Sequence, residues 1–549
     1  MQEVAMPSSD RLWYKDAVFY EVSVRTFQDG NGDGLGDFIG LTERLDYLKD
    51  LGVDCLWLLP MYPSPLGDDG YDISDYRGIH PDLGTLDDFK RFMQAAKARG
   101  LRVIADLVLN HTSSQHPWFQ EARKGCDNPY HDYYVWSDTE ERYRDARIIF
   151  IDTETSNWTW DDCAEQYYWH RFFSHQPDLN FENPKVQQEM LDVFKFWMDM
   201  GLDGFRADAI PYLFEEDGTN CENLPQTHAF IKRLRAYMDQ HYPEAIMLGE
   251  ANQWPQDVRA YFGDGDELHM SFNFPVMPRL YMAIAQADRG PIEWIMDQIP
   301  PIPEGCQWAT FLRNHDELTL EMVTATEREF MLKTYAPVTR MRSNLGIRRR
   351  LFPLMDGDRR RVELLHSLLL TLPGSPVLYY GDEIGMGDNI WLPDRMGVRT
   401  PMQWSDDRNA GFSTAKPSHL YMPVITDPGY HYTGVNVDVS RMFPDSFFHW
   451  LRGVLAHRKR FKAFGRGELT WLMPENRAIV AYERSLQDER LVLVHNLSSA
   501  AQVVDLDLSP HVGRRVREVL GGSEFPATSE SPYRLTLAPY GVFWLSLEA

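Results

Sequence analysis

The sequence predicts an α/β protein: a (β/α)8 TIM barrel with a loop-rich domain inserted after strand 3 and a C-terminal antiparallel β-sandwich. Three observations predict it. Helix-period segments that stop at glycine and run straight into a short apolar strand recur over residues 17–383. The rhythm breaks at 112–178, rich in Trp, Tyr, Asp and Asn, and again at 386–440, rich in Gly, Pro and Asp. From about residue 466 the hydrophobic period changes to two.

The elements follow in order. AVFYEVSV (17–24) reads as the first strand. Leu45 and Leu48 precede Gly52 and the second strand, VDCLWLLP. The clearest copy spans 86–111: Leu86, Phe89, Met93 and Ala96 share one helix face, Gly100 stops the helix, and LRVIADLVLNHT follows. Such an unbroken apolar run marks a strand buried on both faces, as in a parallel sheet. Val186, Met190, Val193 and Trp197 precede Gly201 and LDGFRADAI, and a helix around 229–240 precedes EAIMLGEAN. ELHMSFNF, WATFLRNHD and SPVLYYGDE supply three further strands. Eight strands alternating with helices suggest a closed barrel. An open doubly wound sheet fits the alternation too, and pattern alone leaves it open. The implied divisions are 1–111, first part of the barrel; 112–178, the insertion; 179–465, second part of the barrel, with long loops near 319–360 and 386–440; and 466–549, the sandwich.

The chain's 549 residues exceed one ordinary core and suit a barrel with smaller units. Lys and Arg total 55 against 81 Asp and Glu, a net charge of -26. Such a surface repels nucleic acid and anionic membranes and leaves a neutral small molecule as the expected partner. Cys55, Cys126, Cys163, Cys221 and Cys306 are scattered, odd in number and lack C-x-x-C spacing. Neither a disulfide framework nor a zinc site is expected, and a cytoplasmic location follows. The opening residues have no apolar signal core, and no apolar run is long enough to span a bilayer.

Polar residues gather where the strands end. Strand 3 ends at Asn110 and His111, strand 4 at Arg206 and Asp208, strand 5 at Glu250, and strand 7 at His315 and Asp316. A lone Asp in such a place is usually a cap or turn residue. In a barrel these ends converge, so three acids and two histidines there read as one site. Arg206 and Asp208, two apart on a strand, point the same way, and the guanidinium favours the ionised carboxylate that a nucleophile needs. A structural ion pair is the other reading. Glu250, to act as an acid, needs surroundings that keep its proton on. DGNGDGLGD places Asp29, Asn31, Asp33 and Asp37 at alternating positions, with Leu35 completing the set and Gly34 at a turn. It opens like an EF-hand loop, but its twelfth position is Gly40. A single structural Ca²⁺, or Mg²⁺, is one reading and a metal-free Asx-rich turn the other.

Taken together, DLVLNHT (106–112), GFRADAI (204–210), GEAN (249–252) and RNHDE (313–317) resemble, in order, the four signature regions of the α-amylase family of retaining α-glucosidases and transglycosylases. The resemblance covers essentially the whole chain. It implies Asp208 as nucleophile, Glu250 as general acid/base and Asp316 as the carboxylate that stabilises the transition state. It implies His111, Arg206 and His315 as sugar-binding residues. DDGYDISDY (68–76) is similar to the family segment in which Asp68 holds the far hydroxyls of a terminal glucose and Tyr71 stacks on its ring. VRTPMQW (398–404) is similar to the loop whose Arg399 pairs with that aspartate. Both imply a blind pocket for terminal α-glucosyl units. The resemblance also implies a second Ca²⁺ held by Asn110, Asp178, Glu215 and the carbonyls of Tyr212 and Leu213.

Residues 344–404, with 152–161 and 167–184, most resemble the members that interconvert maltose and trehalose by intramolecular transglucosylation with minor hydrolysis. That implies an isomerase with a disaccharide partner and no organic cofactor. The insertion and the loops near 386–412 would then form a lid that excludes water. Asn252 would bond the freed glucose, or be merely structural. The alternatives are a hydrolytic α-glucosidase and a non-catalytic sugar-binding barrel. A homodimer through the terminal sandwich is left open.

Overall fold

A computed structural model describes residues 11–549. Eight short segments form the parallel strands β1 (Phe19–Val22), β2 (Cys55–Leu58), β3 (Arg102–Val108), β4 (Gly204–Asp208), β5 (Ile246–Gly249), β6 (Met270–Phe272), β7 (Gln307–Phe311) and β8 (Ser375–Tyr379). They close in sequence order, β8 pairing with β1, so the barrel prevails over the open sheet. Register fixes the site: Val108 of β3 lies opposite Asp208, and Arg206 of β4 opposite Leu248 of β5. Asn110–His111, Asp208 and Glu250 therefore emerge side by side at the carboxyl rim.

The helices form where the periodicity places them. Helix α1 (Leu45–Leu51) precedes β2, and α2 (Leu86–Ala98) starts at a Thr85/Asp88 capping box. Helix α2 buries Phe89, Phe92, Met93 and Ala96, leaving Leu86 at the edge. Helix α3 (Pro184–Asp199) buries Trp197 edge-on to Phe89, ring centroids 5.2 Å apart, and α4 (Pro225–His241) follows β4. Burying each such side chain contributes roughly 1.5–3 kcal/mol. Gly52, Gly100 and Gly201 all take positive φ at the ends of these helices, the geometry that stops a helix.

The insertion after β3 builds a small antiparallel sheet from Trp136–Ser137, Gln166–Trp169 and Trp158–Asp161. Tyr143, Trp158 and Trp169 give it a core of its own. The stretch 319–360, read above as a long loop, holds the capped helix α5 (Ala325–Tyr335), a small antiparallel sheet and a short helix, Leu351–Leu354. The sequence hides α5 because only Met331 and Tyr335 are buried along it. Helices α6 (Arg359–Thr371) and α7 (Phe447–Arg460) pack on each other outside the barrel.

Eight further strands follow: β9 (Glu468–Trp471), β10 (Ile479–Leu486), β11 (Glu489–Asn496), β12 (Gln502–Leu506), β13 (Arg515–Glu518), β14 (Glu524–Phe525), β15 (Tyr533–Leu537) and β16 (Val542–Glu548). Six of them form an antiparallel sheet, and β12 pairs with β15 across its outer face. Alternation divides the six-stranded sheet: Tyr482, Leu493 and Trp544 join the barrel core, while Ala481, Val492 and Val494 pack under β12 and β15. Among the described residues no helix is long and apolar enough to cross a membrane.

Candidate active site

A buried arginine organises the carboxyl rim. Arg206 Nη1 lies 2.5 Å from Asp208 Oδ1 and 2.6 Å from Asp106 Oδ1, and Nη2 lies 2.6 Å from Glu250 Oε1. Its guanidinium lies over the rings of Trp57 and Tyr71. Burial pushes the Asp208 carboxyl up to about 6, against the pull of Arg206. Burial pushes Glu250 further, to about 8; Arg206 opposes and the charges of Asp208 and Asp316 add. The residue expected to be ionised and the one expected to hold a proton thus separate in the required order. Burial would raise Asp316 too, but the guanidiniums of Arg395 and Arg399 hold it well below the carboxylate range.

One cavity is lined by Asp208, Glu250 and Asp316 together with Asp68, Tyr71, His111 and Asn252. Burial lowers His111 to about 3, and its Nε2 has no partner, leaving a neutral ring free to bond a hydroxyl. Asn252 donates to Thr319 Oγ1 at 3.3 Å, and its Oδ1 is buried without a partner. Arg206, His315 and Arg399 stand behind this lining.

The pairing expected for Arg399 is corrected. Arg399 Nη1 meets Asp69, at 3.2 Å, and Nη2 meets Asp316 Oδ1, at 2.9 Å. Arg395 holds Asp68 instead, at 2.6 Å, and reaches Asp316 Oδ1, also at 2.6 Å. The cause is local: Asp69 takes a left-handed φ of 50°, so the neighbouring carboxylates of Asp68 and Asp69 diverge toward different arginines.

Sequence reasoning missed Arg395, Asp106 and most of the roof. Phe150 and Phe172 of the insertion line the cavity with ring centroids 5.5 Å apart, and Arg395 lies over Phe150. Glu317, Thr319 and Glu321 line it from the segment after β7. Arg147 of the insertion crosses to Glu321 at 2.7 Å, Glu222 at 2.9 Å and the Tyr212 hydroxyl at 3.2 Å. Arg395, four residues before Arg399 in the expected lid loop, carried a faint signal; Arg147, in a stretch without periodicity, carried none.

Two residue sets bear on metals. Among the described residues Asn110 Oδ1, Asp178 Oδ2 and Glu215 Oε1 are all buried without hydrogen-bond partners, and Glu215 follows the short helix Ile210–Tyr212 that leads to Leu213. Unpaired buried oxygens of this kind fit a hard cation. The loop at 29–37 differs, because its own backbone occupies its oxygens. Asp29 accepts from Asn31, Gly32 and Gly34, Asp33 from Leu35, Asn31 from Asp33, and Asp37 from Gly30 and Gly40. Gly34 makes the expected turn at φ 105°. Among the described residues no group of three or more His, Cys, Asp or Glu side chains could hold a metal. Either set would therefore depend on amide or backbone oxygens.

Residues 22–467 match the family described as Alpha amylase, catalytic domain, and residues 469–544 match Maltogenic Amylase, C-terminal domain. The chain is 57% identical over 548 residues to a trehalose synthase of Pimelobacter sp. (strain R48), covering 97% of this chain and 96% of that one. It is 56% identical over 550 residues to the trehalose synthase/amylase TreS of Mycobacterium tuberculosis (strain ATCC 25618 / H37Rv), covering 99% and 91%. The solved structure of the trehalulose synthase from Pseudomonas mesoacidophila MX-45 is similar with a TM-score of 0.78 and 29% identity, covering 98% of this chain and all of that one.

Proposed function

The chain belongs to the α-amylase family, and from that premise we propose that it isomerises maltose and trehalose by a retaining double displacement, with minor hydrolysis to glucose. Asp208 attacks the anomeric carbon of the non-reducing glucose while Glu250 protonates the departing O4. A β-glucosyl ester on Asp208 and a free glucose result. That glucose turns within the chamber, Glu250 takes the proton from its anomeric hydroxyl, and the oxygen attacks the anomeric carbon of the glucosyl ester, displacing the Asp208 carboxylate. Two inversions restore the α configuration of the donor, the α-anomer of the accepting glucose supplies the other half of the α,α-1,1 linkage, and Asp208 returns ionised and Glu250 protonated.

Water competes for the same ester, so the roof decides the outcome. The observation that supports the reading is the shared cavity: three acids line it, Phe150 and Phe172 line it beside them, and Arg395 and Arg147 pair with its acidic residues from the loop near 395 and from the insertion. Asp68 and His111 fit the fixed glucose, and Asn252 with its unpartnered Oδ1 fits the one that turns. We read Asn110, Asp178 and Glu215, with the carbonyls of Tyr212 and Leu213, as holders of a Ca²⁺ ion whose chemistry is structural, tying the insertion to the barrel. The 29–37 loop is a second candidate for such an ion, Ca²⁺ or Mg²⁺.

The test is maltose alone, with products separated by chromatography. Trehalose as the main product is expected; glucose only would identify an ordinary α-glucosidase.

A further inference from the structure

Strand β1 places another carboxyl beneath the site. Glu21 is fully buried. Its Oε1 lies 3.0 Å from the His315 backbone nitrogen and 2.6 Å from His315 Nδ1. Its Oε2 is buried and has no hydrogen-bond partner among the described residues. On the far side of the ring, His315 Nε2 lies 2.8 Å from the Tyr71 hydroxyl and 3.2 Å from Asp316 Oδ2.

The protons can be placed one at a time. Asp316, gripped by two guanidiniums, is ionised, so the ring nitrogen facing it must carry hydrogen. A neutral imidazole protonated at Nε2 has a bare Nδ1. Among the described residues the group on Nδ1 is Glu21 Oε1, which must then supply the proton. We propose that Glu21 is a positioning residue that works as an un-ionised carboxylic acid, donating its O–H to His315 Nδ1 and locking the ring with Nε2–H on the Tyr71 hydroxyl, beside Asp316 Oδ2.

Three observations agree. A carboxylate would leave charge on the unpartnered Oε2, at a high desolvation cost, whereas an acid carbonyl oxygen loses far less. Burial also drives Glu21 well above its ordinary range; the His315 N–H and Arg206 oppose, and Asp316 and Asp106 add. Tyr379 is the other titratable group facing it, from β8. Finally, Tyr71, accepting from Nε2–H, keeps its own proton to give Asp106 Oδ2 at 3.2 Å. The chain of bonds thus ends on Arg206, which holds both Asp208 and Glu250.

This deepens the functional reading and rests on Tyr71 and Asp316, which His315 orients, gripping the sugar. Glu21→Gln is nearly isosteric, yet it cannot replace the acid. With its oxygen at Oε1 it accepts the backbone N–H but has nothing for Nδ1; with its amide there, two donors meet. The infrared spectrum of the free enzyme should show the carbonyl stretch of a buried carboxylic acid that Glu21→Gln abolishes. Its kcat/KM for maltose consumption should fall about tenfold or more while its thermal midpoint stays close to the original. No lost acid band, or undiminished kcat/KM, would overturn the proposal. Should the variant fail to fold, ¹⁵N imidazole shifts of His315 in the unsubstituted enzyme decide: a bare Nδ1 with protonated Nε2 supports the proposal, and Nδ1–H or an imidazolium refutes it. Glucose as the sole product from maltose would overturn the isomerase reading and leave these spectroscopic results standing.

Discussion

At the scale of single residues, Arg206 pairs with two carboxyls that must do opposite things. The rate should rise on the acid side as Asp208 ionises near pH 6 and fall on the alkaline side as Glu250 loses its proton near pH 8. A bell-shaped kcat/KM with its maximum between those limbs is expected; a rate still climbing past pH 9 would remove Glu250 as the acid. Asp208→Asn should lower isomerisation and hydrolysis together, by about 10⁴-fold or more. Glu250→Gln should recover part of its lost rate with α-glucosyl fluoride, whose leaving group needs no proton. Arg395→Ala would leave Asp68 buried without its cation, at a cost of about 3–5 kcal/mol, measurable by denaturant unfolding.

At the scale of elements, the roof is a set of separate pieces held by ion pairs. Arg147→Ala should release the insertion from Glu321 and raise the glucose-to-trehalose ratio severalfold with maltose consumption largely kept; an unchanged ratio would show that the roof does not set the partition. A chelator should lower the thermal midpoint by a few degrees, and Asp178→Asn should remove that response. The strands and the acids at their ends were legible in the sequence because a barrel strand writes its burial as an apolar run and its function as the polar residue that ends it. Asp208 and Glu250 could be placed before any fold was seen. The roof was not legible: Phe150, Arg147 and Glu321 meet across loops that have no period, and Arg399 was given the partner of Arg395 because the left-handed turn at Asp69 leaves no mark in the chain. Helix α5 was lost for a related reason, its exposed surface giving no apolar stripe.

At the scale of the whole molecule, the terminal domain is welded to the barrel. Arg458 of α7 and Arg484 of β10 are buried and donate to backbone carbonyls, Arg484 reaching Thr371, Phe464 and Gly467. Ser367 of α6 accepts from Trp544 at 2.8 Å and pairs with His495 at 2.9 Å. The two units share one apolar core, so calorimetry should record a single unfolding transition rather than two. Trp544→Ala should cost about 3–5 kcal/mol. A chain ending at residue 466 should be insoluble, since it would uncover the barrel surface that Tyr482 and Leu493 occupy.

The two ties across the chamber differ in how much water they see. The Arg395 side chain and its partner Asp68 are each 7% exposed, while that of Arg147 is 36% exposed. Dissolved salt screens the second and scarcely reaches the first. Ionic strength therefore becomes a dial on selectivity: concentrated sodium chloride should loosen only the outer fastening and divert flux toward water, with the inner grip on the sugar unchanged.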